Sequence, residues 1–126
     1  MPYTAKHRYA PMSSKKLHPV AKLIRGKSVD SALETLRFLP NRGARLLEKV
    51  IKSAQANAEE QGFRHPDELL IQDVRIDHAG MMKRILPGCR GMAHVLELRQ
   101  CHITVKLEDP EVLFGGKEEE DEDEAE

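Results

Sequence analysis

The stretch LIQDVRIDHAGMMKRILPGCRGMAHVLELRQCHITVKL, residues 70–107, decides the fold. Its first limb alternates, with Leu70, Val74 and Ile76 on one face and Asp73, Arg75 and Asp77 on the other. Its last limb sets Cys101, Ile103, Val105 and Leu107 against His102, Thr104 and Lys106. Alternation with period two places apolar side chains on one side of a strand, because successive residues of a pleated chain point to opposite faces. Between the limbs lie Gly80, Pro87, Gly88 and Gly91, which supply the dihedral angles of turns. The reading is an antiparallel hairpin. About fifteen residues per arm at ~3.3 Å each reach on the order of 50 Å, farther than a small domain can cover. A two-stranded ribbon is marginally stable by itself, so the extended part, about residues 78–102, is expected to project and to need a partner that orders it.

Upstream, the periodicity changes to helical. Leu17, Val20, Ala21 and Ile24 predict a first helix from Ser14 to near Arg25, with Gly26 as a positive-φ C-terminal cap. Pro19, which lacks an amide hydrogen, predicts a late start or a kink. Ser28 is a suitable N-cap for a second helix, with Asp30 near its positive end and Val29, Ala32, Leu33 and Leu36 on one side, closed by Pro40. Asn41 caps a third helix running to about Gln61, with Ala44, Leu47, Val50, Ile51, Ala54 and Ala58 on its packed face. Arg42, Arg45, Lys49 and Lys52 form a separate stripe with no interleaved acid, a candidate contact for RNA rather than a merely soluble surface. Residues 2–9 alternate weakly, Tyr3, Ala5, His7 and Tyr9 against Thr4, Lys6 and Arg8, and predict a strand with Lys6 and Arg8 on its polar face. The fold class is α+β: three helices packed on a small antiparallel sheet, with a long protruding β-hairpin.

At 126 residues the chain holds one core, residues 1–113, built from Ala, Leu, Ile and Val because aromatics make up only 4%. The net charge of -1 conceals an asymmetry. Residues 117–126 carry eight acids and one Lys, and the reading of 114–126 is a disordered acidic tail. Residues 1–116 carry nineteen Lys and Arg against thirteen acids, a net of +6, and residues 1–66 alone reach +8. That bias suits a polyanion, either nucleic acid or an anionic membrane surface. No apolar run approaches the ~20 residues of a membrane span, and the N-terminal stretch lacks the apolar middle of a signal peptide, so membrane insertion is not expected and a cytoplasmic location is. Cys89 and Cys101 are then expected as reduced thiols.

The words within these elements also carry a resemblance. AKHRYA, VAKLIRGKSVDSAL, LLEKVIKSAQANAE and HITV, in this order and spacing over roughly residues 4–107, resemble the bacterial-type large-subunit ribosomal protein L twenty-two family. The resemblance implies a non-enzymatic structural constituent of the large ribosomal subunit that binds its ribosomal RNA and supports its assembly. The globular part would lie near the tunnel exit, and the hairpin would line the polypeptide exit tunnel. Implied partners are large-subunit ribosomal RNA, neighbouring ribosomal proteins and the nascent polypeptide; no cofactor or metal is implied. Carried over by position, the RNA-binding residues are Lys6, Arg8, Lys15, Lys16, Arg25, Lys27, Lys83, Arg84, Arg90 and His102. Departures from the pattern are Leu86, Gly88, Met92, Val95, Glu97 and Leu98, where members usually carry Arg or Lys, together with Ser14 for a usual Pro and Pro19 for an aliphatic residue.

Two other function classes compete. An enzyme or metal site would have to use Cys89, His94, Cys101 and His102, but this spacing fits no familiar zinc finger, and a hairpin separates Cys89 near the tip from Cys101 down the return arm. No nucleophile arrangement, acid/base pair or phosphate-binding Gly loop stands out. A freestanding RNA- or DNA-binding regulator shares the basic charge, and co-sedimentation with ribosomal subunits separates the two.

Overall fold

The third helix organises the computed structural model, which describes residues 2–114. The strands and helices in chain order are β1 (Tyr3–Ala10), α1 (Ser14–Ile24), α2 (Val29–Phe38), α3 (Arg42–Glu60), β2 (Leu70–His78), β3 (Met82–Pro87), β4 (Ala93–Leu98) and β5 (Cys101–Glu108). All six apolar residues of the predicted α3 face are buried. They pack against β1 and β5, while α1 and α2 flank the same helix. Burying an aliphatic side chain of Leu or Ile size contributes roughly 1.5–3 kcal/mol, so Leu47 and Ile51 give this seam much of its cohesion. Ser28 accepts a hydrogen bond from the Ser31 amide at 3.4 Å, the cap expected for α2. Asn41 precedes α3 but makes no side-chain cap bond.

The sheet order is β1-β5-β2, with both outer strands antiparallel to β5. Cys101, Ile103, Val105 and Leu107 are all fully buried, as their alternation requires. The outer edge of β2 is not left bare. Gly26 N–H donates to the Ile71 carbonyl at 3.0 Å, Ile71 N–H donates to Lys27 at 2.9 Å, and Val29 N–H donates to Leu69 at 2.9 Å. The segment after α1 thus covers donors and acceptors that would otherwise invite another chain.

Three readings need correction. Helix α1 starts at Ser14 and runs through Pro19, so the late start is not found; Pro19 forfeits one backbone bond while Leu17, Val20, Ala21 and Ile24 still reach the core. In β2 it is Ile71, not Leu70, that is buried with Val74 and Ile76. The register shows why: between the pairs Ile71↔Leu107 and Asp73↔Lys106, β2 advances by one residue more than β5, a bulge that resets the alternation. In β1 the same occurs between His7↔Ile103 and Ala10↔Cys101. Ala10 turns into the core, and Tyr9 is put out at φ 58 with 55% of its surface exposed.

The hairpin is present but divided. Strands β2 and β5 belong to the main sheet, whereas β3 and β4 pair only with each other. Ala79 N–H donating to Gln100 at 3.1 Å spans the gap. Every residue of β3 and β4 is exposed, including Ile85 at 76%. With six residues per strand, this separate ribbon spans about 20 Å at ~3.3 Å per residue. At its tip Arg90 and Gly91 have φ 58 and 73, and Gly88 N–H donates to Met92 at 2.7 Å. Beyond β5, residues 110–114 form a helical turn, with the Asp109 carboxylate accepting from the Glu111 amide at 3.0 Å. The acidic tail expected over 114–126 lies outside the described residues, apart from Phe114.

Candidate nucleic-acid interface

The cations expected to meet RNA fall into four places. Lys6 and Arg8 project from β1 on the open face of the sheet, beside His102 of the central strand. With Asp77, Ile103 and Thr104 they line a hollow of about 360 Å³. Cross-strand register sets this arrangement: Lys6 lies opposite Thr104, which on its other side lies opposite Arg75, and His102 lies opposite Asp77. The β1 bulge locks the imidazole. Tyr9 N–H donates to His102 Nδ1 at 3.0 Å, and the two rings meet edge to face with centroids 4.8 Å apart. Arg8 Cζ stands 5.7 Å from the Tyr9 ring centroid, within the range of a cation–π contact.

Lys15 and Lys16 are exposed on the first turn of α1, where the ribbon leaves the domain. Lys15 borders a hollow with Ser14, His78 and Arg99, and Ser14 Oγ lies 3.1 Å from His78 Nδ1. Lys16 borders a wider one of about 700 Å³ with Arg42, Arg99 and Glu97. Since this groove has walls from α1, α3 and β4, a polyanion lying in it would touch both the domain and the ribbon. Arg25 and Lys27 are differently employed. Arg25 holds the Val74 carbonyl through Nη2 at 2.6 Å and Nε at 3.2 Å, tying the end of α1 to β2, and Lys27 Nζ lies 3.4 Å from Thr35 Oγ1.

Lys83, Arg84 and Arg90 are exposed on the ribbon. Pairing of Lys83 with Glu97 and of Ile85 with Val95 gives one ribbon face; pairing of Met82 with Leu98, Arg84 with Leu96 and Leu86 with His94 gives the other. Each face therefore mixes one cation with several apolar side chains, and the first also carries Glu97. The α3 stripe needs correction as a candidate RNA contact. Glu48 accepts from Arg45 at 3.0 Å and from Lys52 at 2.8 Å, and Arg45 Nη2 also donates to the carbonyls of Leu36, Arg37 and Leu39. Two of the four cations are thus engaged in the fold. The Lys52 hydrogen bond, with help from both positive charges, holds the Glu48 carboxyl below the usual carboxylate range.

Sequence reasoning missed Arg99, Arg75 and Lys106 as members of these surfaces and placed Arg42 only on a helix stripe. The alternation already put Arg75 and Lys106 on the polar faces of their strands; what was missing was the register, which sets Arg75 across Thr104 from Lys6 and Lys106 opposite Thr4. Cys89 is exposed and Cys101 buried, and desolvation pushes the Cys101 thiol up. Among the described residues no three His, Cys, Asp or Glu side chains gather to hold a metal ion.

An α+β domain with a basic open sheet, a cation-lined groove and a projecting apolar ribbon is built to be embedded in nucleic acid and protein. Residues 5–108 match the family described as ribosomal protein L22p/L17e, and the chain belongs to that family. It is similar to large ribosomal subunit protein uL22 of Rhodopirellula baltica, 48% identical over 110 residues, covering 83% of this chain and 92% of the relative. The same protein of Caldicellulosiruptor saccharolyticus is 44% identical over 108 residues, covering 86% and 88%. That of Akkermansia muciniphila is 41% identical over 111 residues, covering 88% and 99%.

Proposed function

We propose that this protein is a structural, non-enzymatic constituent of the large ribosomal subunit in the cytoplasm, binding large-subunit ribosomal RNA and neighbouring ribosomal proteins. Family membership supports that assignment, and one structural observation carries the mechanism: β3 and β4 form a ribbon with no buried residue. Such a ribbon cannot be held by a core of its own and gains its stability from what surrounds it. The domain supplies the anchor, with Lys6, Arg8, Lys15, Lys16 and His102 set toward RNA phosphates and bases. Lys83, Arg84 and Arg90 extend the contact along the ribbon, while the apolar side chains between them favour shape and packing over charge. In this reading the ribbon lines the polypeptide exit tunnel and meets the nascent chain. Arg25 and Lys27 contribute chiefly by holding the end of α1.

Co-sedimentation tests the assignment. In a sucrose gradient after a high-salt wash, the native protein is expected to travel with large subunits. Recovery almost entirely at the top of the gradient would reject the ribosomal reading.

A further inference from the structure

We propose that the hollow between β1, β5 and β2 is a binding site for one unstacked guanine nucleotide of RNA, with Asp77 reading the base. The proposal rests on the RNA-binding reading above and goes further in assigning Asp77, Tyr9 and Thr104 and in naming the base. A carboxylate repels phosphate and calls for a ligand that donates. Asp77 nevertheless lies directly opposite His102 and lines the same hollow as Lys6 and Arg8. It is not neutralised by either cation: among the described residues the ion pairs are those of Glu48 with Arg45 and Lys52. An exposed carboxylate without such a partner keeps its acceptor oxygens for a ligand that donates.

Among the four RNA bases only guanine offers two adjacent donors, N1–H and the N2 amino group, and a carboxylate can accept both at once. Adenine and cytosine offer an amino group beside a ring acceptor, and uracil offers a single N–H between two carbonyls; each would set lone pairs against Asp77. His102 supplies the complement. Because its Nδ1 accepts the Tyr9 amide, the neutral ring must carry its proton on Nε2, and that donor is left for guanine O6 or a phosphate oxygen. Lys6 and Arg8 furnish the positive charge for the phosphate, and the Thr104 hydroxyl can serve a ribose or phosphate oxygen. A volume of about 360 Å³ suits one nucleotide rather than a duplex. The φ of 58 at Tyr9 fits a local function, since a non-Gly residue adopts it only where surrounding structure compensates, and here it directs the amide that fixes the imidazole.

The test uses the full chain and fluorescently labelled single-stranded RNA pentamers, uridines flanking a central G, A, C or U, with affinity read by anisotropy at low salt. The central-G pentamer is expected to bind about tenfold more tightly than the others, the discrimination of one bidentate base contact. Asp77→Ala, at an exposed position, is expected to remove that preference in a characteristic way: weaker binding of the G pentamer and somewhat stronger binding of the other three, since a negative charge has gone. Paired Lys6→Ala and Arg8→Ala should instead weaken all four alike. Equal affinity for the four pentamers, no binding to any of them, or an Asp77→Ala variant that binds all four more tightly would overturn the guanine site. The general reading is judged separately, by the gradient experiment, and survives any of those results.

Discussion

Glu48 and the two cysteines show how a charge or a thiol takes its role from where the backbone puts it. Glu48 has its side chain only 16% exposed and takes hydrogen bonds from both Arg45 and Lys52, so its ionised form is favoured in the folded state. Its pKa is lowered on folding, which means the stabilisation is fully present above the ordinary Glu range and is lost as pH falls through the lowered value. Glu48→Gln should therefore cost under about 1 kcal/mol at neutral pH, with the difference from wild type shrinking on acidification toward pH ~3. Urea unfolding at the two pH values measures it; a constant difference would mean the carboxylate charge does not contribute. The two cysteines make a second contrast. Cys89 is exposed at the ribbon tip, whereas Cys101 is buried in the sheet and its thiol is held protonated by desolvation. A thiol reagent at neutral pH should label Cys89 quickly and Cys101 only on unfolding, giving one modified thiol by mass spectrometry of the native protein.

Among elements, the start of α3 packs closely on α1. A Cβ built on Gly43 would stand 2.8 Å from Leu17 Cδ2 and 3.3 Å from Met12 Sδ, so the fully buried Leu17 side chain would have to shift within the core. Although Ala is the better helix former, Gly43→Ala should destabilise by roughly 1–3 kcal/mol through overpacking, lowering the thermal midpoint by several degrees. An unchanged or raised midpoint would show that α1 can yield. The ribbon is the opposite case, and in the free protein amides over residues 83–94 should exchange far faster than those of the α3 seam. Equal protection would mean that the ribbon orders itself. These contrasts explain what the sequence could and could not convey. Helix faces were legible because a period of 3.6 and the turn residues at their ends are local, and β5 was legible because both bulges put their extra residue in the neighbouring strand and leave its own alternation unbroken. The bulges in β1 and β2 were not, since an extra residue in one strand is defined only against its partner. For the same reason the hollow was half legible: the resemblance points to Lys6, Arg8 and His102, but their meeting with Asp77 and Thr104 depends on a register that alternation alone does not specify.

At the scale of the whole molecule, the distribution of cations divides RNA contact from folding. Lys15 and Lys16 are exposed on the first turn of α1, where a positive helix end adds to their charge, and they border the hollows between domain and ribbon. Arg25, at the other end of the same helix, holds the Val74 carbonyl. Both places were assigned to RNA on equal terms by resemblance, yet they differ in what a phosphate could displace. A solvated lysine breaks no protein hydrogen bond when it displaces a counterion condensed on the RNA, and each phosphate it neutralises contributes ~0.7–0.9 to the slope of log affinity against log salt. Arg25 would have to leave a charge-assisted hydrogen bond worth roughly 1.5–3 kcal/mol before it could do the same. Replacing Lys15 and Lys16 together by Ala should therefore reduce the salt slope for a large-subunit ribosomal RNA fragment by about 1.5 while leaving the unfolding midpoint nearly unchanged. Arg25→Ala should lower stability by about 1–2 kcal/mol and leave the slope where it was. Titrations at several salt concentrations, paired with denaturation of each variant, separate the two effects. A reduced slope for Arg25→Ala, or an unchanged one for the lysine pair, would place the RNA on the opposite end of α1.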